Sequence, residues 1–122
     1  MRKVLAVILC VFAFCSGTQA VTVDWVTVGN PGNADDIHGD GYGGVDYVYQ
    51  IGTYEVTAGQ YTEFLNAVGA TDTYGLYSTN MASWDYGCKI QRDGSSGSYT
   101  YSVAAERENR PVNLVDWYNT LR

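Results

Sequence analysis

The sequence predicts a small α+β fold with short antiparallel strands, one clear helix and much irregular structure. Three observations carry that expectation. Apolar residues alternate over residues 21–28 (VTVDWVTV) and again over 45–51 (VDYVYQI), the period of half-buried strands. A helix-period stripe follows a capping signal at Thr57. Elsewhere Gly, Asn, Asp, Ser and Tyr mix without a period, the composition of loops.

Taken in order, residues 1–20 read as a removable secretion signal: the basic pair Arg2-Lys3, an apolar run over 4–15, and a small-residue exit ending at Ala20, with cleavage before Val21. An apolar run of about a dozen residues is short for roughly 30 Å of hydrocarbon, so no transmembrane segment is expected once the signal is gone. Cys10 follows Leu9 and Cys15 follows Phe14, whereas a lipid-acceptor cysteine follows a small residue. The mature chain is therefore expected to be exported: periplasmic, on the cell surface or extracellular. Loss of Arg2 and Lys3 takes the net charge from −6 to −8, a surface that repels phosphate backbones and argues against a nucleic-acid partner. About a hundred mature residues make one small domain with a modest core. Cys88, the single cysteine left, has no partner for an internal disulfide.

Residues 21–28 are the first expected strand. Residues 29–44 (GNPGNADDIHGDGYGG) form a loop, and 45–51 a second strand with Val45, Tyr47, Tyr49 and Ile51 on one face. Gly52-Thr53 is then expected to turn the chain so that Tyr54-Glu55-Val56 pairs back antiparallel. The helix starts after Thr57, because Thr57 and Gln60 form a capping box in which each side chain satisfies a free backbone N–H. Its stripe is Tyr61, Phe64, Leu65 and Val68, and Gly69 stands at the C-cap. Residues 70–87 have no period and must be ordered by tertiary contacts. Residues 89–92 and 99–103 flank Asp93-Gly94-Ser95-Ser96-Gly97-Ser98, the pattern of a hairpin with a flexible tip. After the charged 106–110 segment and Pro111 comes a short apolar run over 112–115, and Asp116 can cap a helix opening at Trp117.

Candidate chemical motifs are weak. Gly39, Gly41 and Gly44 match a dinucleotide-binding spacing, but a strand-like run follows where a helix is required, and Asp40 and Asp46 would repel phosphate. Asp35, Asp36, Asp40 and Asp46 could offer oxygens to calcium, yet their spacing matches no EF-hand and a solvated loop is the simpler reading. His38 is the only histidine, which excludes a multi-histidine metal site, and no G-x-S-x-G stands ready to use it as a base. Cys88 could be a nucleophile, a metal ligand or half of an intermolecular disulfide, with a semi-buried free thiol the favoured reading. No catalytic, cofactor-binding or metal-binding residue is assigned on this basis.

Two longer strings say more. Residues 51–66 (IGTYEVTAGQYTEFLN) resemble the opening of the formylglycine-generating enzyme family, the sulfatase-modifying factor domain, where a strand ending in Glu-Val-Thr runs into a helix bearing Gln-Tyr and then Phe. Residues 109–117 (NRPVNLVDW) resemble the family's Pro-Val-x-x-Val-Ser-Trp stretch, with Asp116 where Ser is common and Asn119-Thr120 where Asp-Ala is common. The resemblance covers essentially the whole mature chain and only the front of the family's domain. It implies a C-type-lectin-like fold whose best-known members oxidise a substrate cysteine to formylglycine with copper and oxygen, through a cysteine pair near the domain's far end. That pair has no counterpart here, and the family's copper and calcium sites would lie beyond Arg122. The resulting expectation is an exported sulfatase-modifying-factor-like domain, its N-terminal part spanning 21–122 and truncated at the C-terminus, inactive by itself and with no cofactor of its own. The alternative is a non-enzymatic lectin-like module with a carbohydrate or protein ligand, for which eleven tyrosines and three tryptophans supply contact surface.

Overall fold

A computed structural model of the chain describes residues 21–121, so the expected signal with Cys10 and Cys15 lies outside the described residues. The elements are β1 (Trp25–Val28), β2 (Tyr49–Gly52), α1 (Ala58–Val68), α2 (Asn80–Ser83), β3 (Ile90–Asp93), β4 (Thr100–Val103) and α3 (Trp117–Thr120). They build two separate antiparallel pairs, β1 with β2 and β3 with β4. This is the α+β class of short strands and few helices. Among the described residues no helix is long and apolar enough to cross a membrane.

The first pairing differs from the expected one. β2 does not pair with residues 54–56. It pairs with β1 in the register Val26↔Ile51 and Val28↔Tyr49, and the Thr53 N–H extends the contact to the Asp24 carbonyl at 2.7 Å. Competing partners for Val45 and Val56 explain the change. Asn33 holds the glycine-rich loop by donating to the Gly43 carbonyl (2.9 Å) and accepting from the Val45 N–H (3.1 Å), which takes Val45 out of any strand. Val56 offers its carbonyl to the distant Val112 N–H at 2.9 Å, and Thr57 bridges Pro111, so this segment is committed elsewhere.

Helix α1 begins as expected. Thr57 Oγ1 accepts from the Gln60 N–H at 3.2 Å, and Gln60 Oε1 accepts from the Thr57 N–H at 2.9 Å. At the far end the Gly69 N–H closes on the Leu65 carbonyl. The buried face is rotated from the expected stripe: Ala58, Tyr61, Thr62 and Leu65 are buried, Phe64 is half-buried and Val68 is 54% exposed. Thr62 can enter the interior because its hydroxyl donates to the Ala58 carbonyl at 2.7 Å, leaving no unpaired polar group there.

The β3–β4 hairpin forms where expected, in the register Ile90↔Val103 and Asp93↔Thr100. Gly94 is required at its tip: its φ is +90°, and a Cβ there would lie 2.7 Å from the Ser98 carbonyl oxygen. The outer edge of β4 is covered by one side chain. Asn66 Nδ2 donates to the Tyr101 carbonyl and Asn66 Oδ1 accepts from the Tyr101 N–H, both at 2.9 Å, as a third strand would.

The aperiodic stretch between α1 and β3 supplies nearly half of the core. Leu76, Tyr77, Met81 and Cys88 join Ala58, Tyr61, Leu65, Ile90 and Tyr101 in one buried cluster. Beside it Asp72, in a left-handed conformation (φ +48°), accepts from the Leu76 N–H at 2.7 Å and from Arg92 Nη1 at 2.9 Å. The guanidinium lies 4.8 Å from the Tyr77 ring centroid and 4.3 Å from that of Tyr99, so two aromatic rings and one carboxylate hold it.

Candidate functional site

The two strings singled out in the sequence, some fifty residues apart, meet at the start of α1. The Ala58 N–H donates to the Arg110 carbonyl (2.8 Å), the Gly59 N–H to the Glu108 carbonyl (2.9 Å) and the Val112 N–H to the Val56 carbonyl (2.9 Å). A helix leaves its first N–H groups free, and here they are taken by the 108–110 segment and by Thr57. This helix start is therefore not an anion site. Gly59 permits the approach, since a Cβ would stand 3.1 Å from the Glu108 carbonyl oxygen. Gln60 Nε2 reaches on to the Thr22 carbonyl at 2.6 Å and ties in the beginning of the described chain. Beside this junction opens a cleft of about 530 Å³, with Asp24, Tyr54, Glu55 and Asn109 on its walls.

A second junction surrounds Cys88. The thiol is 6% exposed and free, with its sulfur 3.9 Å from the Asn113 carbonyl oxygen. Asn113 Nδ2 donates to the Tyr86 carbonyl at 2.7 Å, while Asn113 Oδ1 is buried without a partner. Lys89 and Leu114 both take left-handed conformations (φ +66° and +61°), so the chain turns sharply on both sides of the contact.

The remaining sequence candidates do not gather. His38 is exposed, and its backbone N–H donates to Asp36 Oδ1 at 2.8 Å. Asp40 likewise turns toward its own loop, at 3.4 Å from the Tyr42 N–H. Gly39 and Gly41 have positive φ with open space around them and lead into no helix. Among the described residues no group of three or more His, Cys, Asp or Glu side chains is placed to hold a metal.

Three buried phenols are structural donors. Tyr61 gives its hydroxyl to the Leu76 carbonyl at 2.8 Å, and burial, reinforced by the Asp72 charge, pushes its pKa up to about 12. Tyr101 gives its hydroxyl to the Gly69 carbonyl, and burial, again with Asp72, raises it. Burial also raises Tyr77, against the opposing charge of Arg92. Kept neutral, these groups donate hydrogen bonds and do not act as bases near neutral pH.

Sequence reasoning missed the Asp72–Arg92 pair. No spacing rule links residues twenty apart, and Asp72 stands in a stretch with no period.

The family model described as the sulfatase-modifying factor enzyme 1-like domain matches residues 45–121. The match includes both strings and the junction that they form. No curated protein and no solved structure matches the chain.

Proposed function

The chain belongs to the sulfatase-modifying factor enzyme 1-like family, and on that premise we propose that residues 21–122 act as the N-terminal scaffold of an exported domain of this family. The single observation that carries the reading is the backbone junction between 56–59 and 108–112, which locks together the two segments by which the family is recognised. The resemblance of those segments to the opening of the domain supports the N-terminal placement and a C-type-lectin-like fold. The three-part pattern of residues 1–20 supports export to the periplasm, the cell surface or the medium.

The residues present do not fit the family's copper. A thiophilic metal that oxidises a thiol needs soft ligands held together, and Cys88 is a lone thiol in the core with no second cysteine among the described residues. Nor do the loop carboxylates gather the six to eight oxygens that calcium takes. The proposal is accordingly a scaffold that does not itself carry out the oxidation. The test is formylglycine production on a cysteine-containing sulfatase-type peptide with copper supplied, using the exported chain. Background turnover is the expected result, and turnover above background overturns the reading. Intact mass of the exported protein checks the signal, with Val21 expected at the N-terminus.

A second reading, a lectin-like module that binds carbohydrate or protein without catalysis, draws on the exposed rings of Trp25, Tyr54 and Trp117. Saturable binding on a glycan array would favour it over the scaffold.

A further inference from the structure

A recess of about 560 Å³ lies beside the β1–β2 ribbon, with an apolar floor of Val23, Ile51 and Val56 and with Trp25, Tyr54 and Glu55 around it. It adjoins the 530 Å³ cleft at the motif junction, with which it shares Val23, Tyr54, Glu55 and Val56. These adjoining cavities, with residues 54–56 as their common wall, make up the trough. Trp25 is paired across the ribbon with Gly52, which has no side chain to cover the indole, and it is 61% exposed. Tyr54 is 75% exposed.

The charge in this trough has one sign. Among the described residues no Lys, Arg or His lines either part, whereas Asp24 and Glu55 do. Neither carboxylate has an ion-pair partner among the described residues, where the one salt bridge is Arg92–Asp72. That salt bridge shows what such a set of groups holds. At the margin of the core, two aromatic rings and a carboxylate take up the Arg92 guanidinium. In the trough, Trp25, Tyr54 and Glu55 offer two aromatic rings and a carboxylate to solvent, over an apolar floor that suits the methylene stem of a long basic side chain.

From this charge complementarity we infer that the trough is a docking surface for a basic, arginine-bearing segment of a partner protein, one guanidinium stacking in the recess against Trp25 and Tyr54 while Glu55 pairs with it. Asp24, in the adjoining cleft, meets a second basic residue of the same segment. The acidity of the chain as a whole favours the encounter, and the apolar floor with its aromatic walls selects a side chain with a long aliphatic stem over a small inorganic cation. This site is separate from Cys88 and does not depend on the scaffold reading.

The test uses the full chain and a fluorescein-labelled peptide of alternating glycine and arginine, followed by anisotropy at near-physiological salt. Saturable one-to-one binding is expected, weakened roughly fivefold or more by Glu55→Gln and by Tyr54→Ala, since cation–π and charge-assisted contacts are of that order. Asp40→Asn removes the same charge from the glycine-rich loop and is expected to leave affinity within about twofold. All three positions are exposed, and an unchanged thermal melt confirms that the fold is intact. Absence of saturation overturns the proposal. So does an equal loss with Asp40→Asn and Glu55→Gln, which would mean diffuse attraction to net charge. If Glu55→Gln fails to fold, Tyr54→Ala alone decides by the same fivefold criterion.

Discussion

Ile51 and Ile90 stand in four-residue antiparallel strands of similar length and pairing, yet Ile51 is 51% exposed and Ile90 is wholly buried. The difference lies in what covers each strand pair. β3–β4 packs against α1 and α2, and Asn66 covers its edge. β1–β2 packs chiefly against itself, and no residue from 21 to 57 is buried. The sequence puts Tyr49 and Ile51 on one face with Val45 and Tyr47; in the ribbon they lie opposite Val28 and Val26, and that face meets no second layer among the described residues. Alternation therefore specifies a strand, while burial depends on a neighbour that the period cannot name.

The largest effect that sharpens this contrast is expected at the charged center of the packed half. Arg92→Ala leaves the Asp72 carboxylate, 4% exposed, without its cation and should cost about 3 to 5 kcal/mol in denaturant unfolding. In the ribbon Asp24→Ala should stay within about 0.5 kcal/mol, because that carboxylate is exposed. The isoleucine pair comes next. Ile90→Ala should cost about 2 to 5 kcal/mol and Ile51→Ala less than about 1. Equal costs for the two would mean that the ribbon is packed as firmly as the core.

A smaller effect is expected from pH. The Tyr61 phenol titrates near 12 in the fold against an ordinary value of 10, so its contribution to stability is complete below pH 10. Above that, the unfolded chain loses this proton while the fold retains it, and stability falls as pH rises through 10 toward 12. Tyr77 and Tyr101, also raised by burial, act in the same sense. The melting temperature should therefore drop between about pH 10 and about pH 12, and Tyr61→Phe should reduce the drop.

What could be read in the sequence follows the same division. The capping box of α1, the β3–β4 hairpin and the Asp116 cap of α3, which accepts from the Asn119 N–H at 2.9 Å, are local chemistry and stand where the residues place them. Long-range choices were not legible: Val45 is captured by Asn33, Val56 by Val112, and β2 by β1. Hydrophobicity alone favours Phe64 and Val68 for the helix stripe. A small Ala58 and a self-satisfied Thr62 turn the other face inward. Met81 and Leu76 were invisible for want of a period, although both are core. The motif junction was legible as two strings and not as one place, since nothing in 109–117 announces that its preceding carbonyls finish another helix.

On this division the α1–β3–β4 unit carries the stability and the β1–β2 ribbon is appended to it. Native-state hydrogen exchange of two amides tests it most directly. The Thr53 N–H bonds to the Asp24 carbonyl at 2.7 Å, and the Tyr101 N–H bonds to Asn66 Oδ1 at a longer 2.9 Å. Bond length would favour Thr53, but burial favours Tyr101. The predicted result is an opening free energy for Tyr101 near that of global unfolding and at least about 2 kcal/mol above that of Thr53. Equal protection of the two amides, or stronger protection of Thr53, would contradict the claim.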